Sequence, residues 1–395
     1  MSEWKEYKLS DIVLSANTGL DAIRRAPIVE EETGIKCLRI QDISQKKPFI
    51  KWGNSKVTSK DFERAQLLKD DIIMARTCSP GIVFKAKENL QAVFNNGLAK
   101  IRPNRNLTTA DYLFYLFKSS DFIGHIYGIS DGTSVQLNMK LGDLLSYKLN
   151  LPPIPEQTPI ASVLGSLDDK IDLLHRQNAT LEKMAETLFR QWFVEEAKEE
   201  WEMGRISDYA IHFKESIQPQ KNRSTLYAHY SIPSYDNGKN PVKELGGEIQ
   251  SNKYKIPNYC ILFSKLNPHK DKRVWILQDE VESNGICSTE FQVVLPKKRQ
   301  HLYFLYGWLT LNENYNEIAS GVGGTSGSHQ RIDPNTIYEF QCPLLTDDTF
   351  ERYNIRIEPI FKKQVINQTQ IRTLTALRDT LLPKLMSGEV KVEMN

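Results

Sequence analysis

The stretch Leu151–Phe193, LPPIPEQTPIASVLGSLDDKIDLLHRQNATLEKMAETLFRQWF, constrains the fold more than any other part of the chain. Alternating steps of four and three from Ile160 meet Leu164, Leu167, Ile171, Leu174, Asn178, Leu181, Ala185, Leu188 and Trp192, so nine of the ten positions are apolar. An apolar period of about 3.5 residues kept over about four heptads describes a coiled-coil seam rather than a one-sided surface helix. Asn178 is the polar exception, of the kind that fixes register at some cost in stability. Pro152, Pro153 and Pro155 suit a helix entry, and Glu156 suits its first turn. A helix of ~40 residues is a rod of roughly 60 Å, and its seam needs a partner.

The partner is in the same chain. Adding 193 to each position gives Tyr353, Ile357, Ile360, Gln364, Asn367, Ile371, Leu374, Arg378, Leu381 and Leu385, seven of them apolar. Pro383 is expected to bend or break this second helix near its end. Outside the helices the repeat continues in order. WKEYKLSD at Trp4 returns as WEMGRISD at Trp201, DIIMARTCSPG at Asp71 as CILFSKLNPH at Cys260, and LAKIRPN at Leu98 as FQVVLPK at Phe291. DYLFYLF at Asp111 returns as HLYFLYGWL at His301, and DGTSVQLN at Asp131 as GGTSGSHQRI at Gly323. With LEKMAETLFRQW at Leu181 returning as LTALRDTLLPKL at Leu374, six ordered echoes at nearly constant offset make two homologous halves, each ending in a long helix. LRIQDI, DIIMAR, IVFKA, YCILF, VWILQ and FQVVL read as strands. The expected architecture is mixed α/β: two globular domains (1–150 and 199–341) separated by two long helices (151–198 and 342–395). The helices pair as an antiparallel coiled coil with pseudo-twofold symmetry.

Composition sets outer limits. With 395 residues, 51 Lys and Arg against 49 Asp and Glu, the chain is near neutral, which neither demands nor excludes nucleic acid. Five scattered cysteines without a C-x-x-C read as reduced thiols of a cytoplasmic protein. The N-terminus lacks a signal-peptide pattern, and no run is apolar enough to span a membrane.

In this organisation the chain resembles the specificity subunit of a type I restriction–modification system. The resemblance covers essentially the whole chain. It rests on LPPIPEQTPIASVLGSLDDKIDLLHRQNATLEKMAETLF, TLLPKLMSGEV at the C-terminus, ILFSKLNPHKDKRVWI with CSTEFQVVLP, and the openings WKEYKLSDI and GIKCLRIQDIS. It implies that each globular part is a target-recognition domain for one half of a split, asymmetric site in double-stranded DNA. The long helices then set the unread gap and dock two DNA adenine methyltransferase subunits, with restriction/translocase subunits joining for cleavage. The subunit itself would be non-catalytic and need no cofactor. The near-neutral charge points to weak DNA affinity alone and tight binding once the methyltransferase subunits clamp the duplex. The chain departs from the pattern in its second helix, with three polar seam positions and an entry reduced to CPLLTDD.

Motifs for chemistry are missing. There is no Walker loop, H-E-x-x-H, G-x-S-x-G or N-P-P-[YF], and the seven histidines lack metal-ligand spacing. The glycines of GVGGTSG, from Gly321, read as a flexible loop, and Asp168 with Asp169 as a solvated helix face. A self-contained nuclease or methyltransferase is therefore disfavoured. A coiled-coil scaffold without DNA recognition is the main alternative. Candidate DNA contacts are Arg39, Gln41, Arg76, Gln136 and Asn138 in the first half. In the second they are Lys265, Asn267, His269, Lys270, Lys272, Arg273, His329, Gln330 and Arg331. Arg, Asn and Gln can read base edges, while Lys mostly meets phosphates. The basic stretch Lys265–Arg273 is the foremost of these.

Overall fold

A computed structural model describes residues 4–77, 81–129, 138–323 and 331–393. They form two compact units, Met1–Leu173 with Gln370–Asn395, and Leu174–Thr369. Both long helices contribute a stretch to each unit.

In the first unit a four-stranded antiparallel sheet has the order Val13–Thr18, Leu98–Pro103, Ile72–Ala75, Val83–Lys85. The run DIIMAR supplies its innermost strand, because alternate residues must face opposite sides of a strand and both sides are covered. Ile72 and Met74 enter one core with Tyr112, Phe117 and Leu164. Ile73 and Ala75 enter the other with Leu38, Trp52 and Phe94. A second sheet pairs Ile28–Val29, Gly53–Ser55, Lys36–Leu38 and Ala92–Phe94, the last two parallel.

The second unit repeats the scheme. Its antiparallel sheet runs Ala210–Phe213, Phe291–Pro296, Cys260–Ser264, Val274–Leu277. Ile261 and Phe263 face one core, Cys260 and Leu262 the other. Its second sheet keeps the parallel pair, Leu226–Tyr230 with Gly285–Ser288. The order differs: Lys253–Lys255 pairs with Gly285–Ser288, and an extra edge strand, Val242–Leu245, is added.

Each domain is closed at its ends by a short antiparallel pair. Lys5–Lys8 lies on Lys148–Leu151, and Met203–Arg205 on Gln341–Pro343. Each pair hands the chain to a long helix, Ile154–Arg190 and Asp347–Ser387. The KLSD and RISD echo has a local cause. The Lys8 N–H donates to Asp11 Oδ2 at 2.9 Å, and the Arg205 N–H to Asp208 Oδ2 at 2.7 Å, starting a one-turn helix in each half. The same device corrects the reading of LRIQDI as a strand. The Arg39 N–H donates to Asp42 Oδ2 at 3.1 Å, and the chain turns into the helix Ile40–Ser44.

Within each unit the two helix stretches run antiparallel. In the first, Ile160 and Leu164 share a core with Leu382, Leu385 and Met386, while Asp168 meets Arg378 one turn further back. In the second, Asn178 meets Asn367, and Phe189 lies against Tyr353. Leu164, Ile171, Leu174, Ile357 and Ile371 are buried. Leu167, Asn178, Leu181, Leu188, Ile360, Leu374 and Leu381 are half-buried. Past Ala185 the buried positions become Phe189 and Phe193, spaced by four, and the helix widens into a π turn at Gln191–Glu195. There the aromatic core of the second domain takes over from the seam. Pro383 does not break the second helix, which continues to Ser387. Leu382, Leu385 and Met386, buried in the first core, hold that last turn.

Candidate nucleic-acid interface

The two halves build the same junction beside the sheet. In the first, the strand Ile72–Ala75 leads to Arg76, whose N–H donates to Gly97 O at 3.0 Å, while the Met139 N–H donates to Arg76 O at 2.8 Å. In the second, the Lys265 N–H donates to Glu290 O at 2.9 Å, and the Ile332 N–H to Lys265 O at 3.2 Å. The bridges Thr77 to Asn138 and Leu266 to Arg331 continue the pattern. The end of the innermost strand is thereby laced, in each half, to the segment that follows the Gly-Thr-Ser stretch.

This brings together Arg76 with Asn138, and Lys265 with Arg331. Arg76 spends its guanidinium internally, donating to Met139 O (3.2 Å), Asn138 Oδ1 (3.2 Å) and Asn96 O (3.3 Å). Arg331 forms a bidentate pair with Glu290, at 2.9 and 2.6 Å. Hydrogen bonding to Glu290 raises the Arg331 pKa, and burial lowers that of Lys265 against the pull of Glu290. Gln136, His329 and Gln330 lie outside the described residues, as do Cys78 and Gly324–Gly327.

The stretch Lys265–Arg273 is not one uniform basic face. The Arg273 side chain is 12% exposed and held by Asp236 and Asp271. Lys272 donates to Thr310 O and to Asn312 Oδ1. Trp275 is buried against Tyr230 and Tyr235. Asn267 takes a left-handed φ of 47° at the turn, and the Lys270 N–H closes it on Asn267 O at 3.0 Å. His269 and Lys270 point to solvent. Elsewhere, Arg39 pairs with the buried carboxylate of Asp42, Nε to Oδ2 2.9 Å. Exposed Gln41, with its amide oxygen turned inward, accepts from the same guanidinium at 2.9 and 3.0 Å.

Residues 1–183 match the family described as Type I restriction modification DNA specificity domain. The MjaIX type I restriction enzyme specificity subunit of Methanocaldococcus jannaschii is 28% identical over 376 residues, spanning 87% of this chain and 84% of its own. The HindI specificity subunit of Haemophilus influenzae is 22% identical, spanning 99% of this chain and 100% of its own. The chain is thus similar over most of its length to type I restriction–modification specificity subunits, and its first 183 residues match their DNA specificity domain. In fold it is similar to the crystal structure of the S subunit from M. genitalium, with a TM-score of 0.60 at 14% identity. That match covers 100% of this chain and 97% of the other.

Two polar groups of this chain are not legible as such in its sequence. Asp168, read as part of a solvated face, accepts from Arg378 Nη1 (2.8 Å), Tyr115 Oη (3.0 Å) and Lys118 Nζ (3.2 Å). Burial opposes its ionisation. The hydrogen bond from Arg378 and the charge of Lys118 outweigh that and hold its pKa below the usual carboxylate value. Gln157 is fully buried, accepting from the Thr109 N–H (3.0 Å) and donating to Leu107 O and Pro152 O (both 2.8 Å). Its signal was its place in PPIPEQ, where a glutamine falls on the helix face that carries Ile160 and Leu164. Among the described residues no helix is long and apolar enough to cross a membrane.

Proposed function

We propose that this chain is a specificity subunit that reads a bipartite site in double-stranded DNA, residues 1–150 serving one half-site and 199–341 the other. The paired stretches of 151–198 and 342–395 set the unread gap. They also dock two adenine methyltransferase subunits, with restriction/translocase subunits joining that complex. The chain itself performs no chemistry. The observation that carries this reading is the duplicated junction: two domains whose four-stranded sheets share one order end the corresponding strand in the same pair of backbone hydrogen bonds. A duplicated reading unit suits a site read in two parts. Exposed His269 and Lys270 are offered as phosphate contacts in the second half.

The test is to co-express the chain with its cognate methyltransferase subunit in a methylation-free host and map N6-methyladenine across the genome. One bipartite motif, two short specified parts around a fixed gap, is expected. A stable complex without methylation would favour a scaffold without DNA recognition. Removing seven residues from each long helix withdraws ~10 Å of helix and should shorten the gap by about three base pairs at ~3.4 Å per step.

A further inference from the structure

Arg76 and Arg331 occupy the same junction in the two halves, yet they come from opposite sides of it. Arg76 closes the innermost strand and reaches across to Asn138 and Met139, on the segment that follows the Gly-Thr-Ser stretch. It also reaches Asn96, just ahead of the central strand Leu98–Pro103. Arg331 sits on the segment after the Gly-Thr-Ser stretch and reaches back to Glu290, just ahead of the central strand Phe291–Pro296. Each arginine therefore ties the same two places together, using residues that do not correspond between the halves.

A guanine is read by a free guanidinium fork. The Arg331 fork is filled by a carboxylate in bidentate geometry, and Arg76 has donors on three acceptors of its own domain. A Glu290 carboxylate beside the DNA would also repel phosphate. We propose that Arg76 and Arg331 are positioning residues. They fix Asn138–Met139 and Arg331–Ile332 against the end of the sheet, and do not themselves touch DNA. This rests on the bipartite-reading function proposed above.

The test uses the complex of the full chain with its methyltransferase partner, and variants Arg331→Ala, Glu290→Ala, the double variant, Glu290→Gln and Arg76→Ala. DNA affinity is measured against salt, and the methylated motif is sequenced. For positioning, Arg331→Ala and Glu290→Ala should each weaken specific binding by about tenfold, the scale of one lost charge-assisted contact. The double variant should be no worse than either single one, and Glu290→Gln should recover part of the loss. The salt slope should stay unchanged. Degeneracy should appear only in the second half of the motif, and for Arg76→Ala only in the first, which general destabilisation would not reproduce. If Arg331 contacts DNA instead, Glu290→Ala will leave binding unchanged or tighten it. Arg331→Ala will then lower the salt slope by about one, and the proposal is overturned. A wild-type complex with no specific binding removes the underlying function as well, a result separable from either pattern because it needs no variant.

Discussion

Replacing Asp168 by Ala should destabilise the first unit by about 2 kcal/mol. The number comes from the surroundings of the carboxylate. Hydrogen bonds to charged partners are worth ~1.5–3 kcal/mol each, and breaking a fully buried pair costs about 3–5 kcal/mol. Three considerations lower the figure here. The side chains of Asp168, Arg378 and Lys118 are 21%, 25% and 33% exposed, so water screens them. Arg378 retains Asp379, at 2.7 Å. Lys118 retains the Phe114 ring, 4.1 Å from its centroid. Neither cation is left without a partner.

The pH dependence has a definite sign. Asp168 has a lowered pKa in the fold, so between that value and the unfolded one, ~3.9, the unfolded state holds more protons and stability rises with pH. The contribution is complete above about pH 4 and is lost as pH falls through the folded value. The gap between wild type and Asp168→Asn should narrow over that same acid range. Native-state hydrogen exchange reads each unit separately. Amides of Ala110–Leu116 and of the helix around Asp168 should lose about 2 kcal/mol of protection, and those of Leu302–Thr310 none. Combined with Arg378→Ala the losses should be non-additive by about 1 kcal/mol or more. A loss under about 0.5 kcal/mol, or additive losses, would refute the argument. At an offset of 193, Phe361 takes the place of Asp168 and Ala185 that of Arg378. Phe361 stacks on Tyr303 with centroids 4.9 Å apart, so Phe361→Ala should cost ~3–5 kcal/mol with no acid dependence.

Gln157→Leu leaves the Thr109 N–H and two carbonyls without their buried partner. It should cost about 3 kcal/mol, with the Thr109 amide exchanging early. Asn178→Leu with Asn367→Leu should raise thermal stability by about 1–2 kcal/mol, because Asn367 is fully buried and its Oδ1 finds no partner among the described residues. A fall in melting temperature would show that the Asn178–Asn367 bond is worth more than the apolar packing that replaces it. Gly307→Ala puts a methyl into the Phe189 ring and should cost about 1–3 kcal/mol. Phe189→Leu in the same chain should restore part of that in a urea titration.

The repeat was readable because it leaves its mark in spacing, and spacing survives divergence of side chains. KLSD and RISD keep an Asp three residues after a basic residue because the one-turn helix needs its carboxylate. LRIQDI carries the same signature in Arg39 and Asp42, and its β-branched residues masked it. At Pro383 local propensity favours a break, whereas three buried side chains around it keep the helix unbroken to Ser387. Likewise the heptad could not announce its own end. The change from Leu188 and Trp192 to Phe189 and Phe193 is imposed by Phe304 and Tyr353, which lie far away in sequence.

For the candidate interface the limit is of another kind. A run of Lys and Arg records cations but not which carboxylates or carbonyls will meet them. Lys265–Arg273 looks like a single basic surface in sequence because Asp236, Glu290 and the pair Thr310 and Asn312 come from three other places in the chain. Once they arrive, Arg273 and Lys272 serve to brace the turn, and His269 and Lys270 are left facing solvent. The same logic shows how the two halves can share a fold while carrying different side chains at the junction. Backbone hydrogen bonds hold the junction, so they tolerate any side chain. Arg76 could become Lys265 once the clasp passed to Arg331 and Glu290. On the proposed function, a domain built that way can change its DNA contacts without rebuilding the sheet beside them.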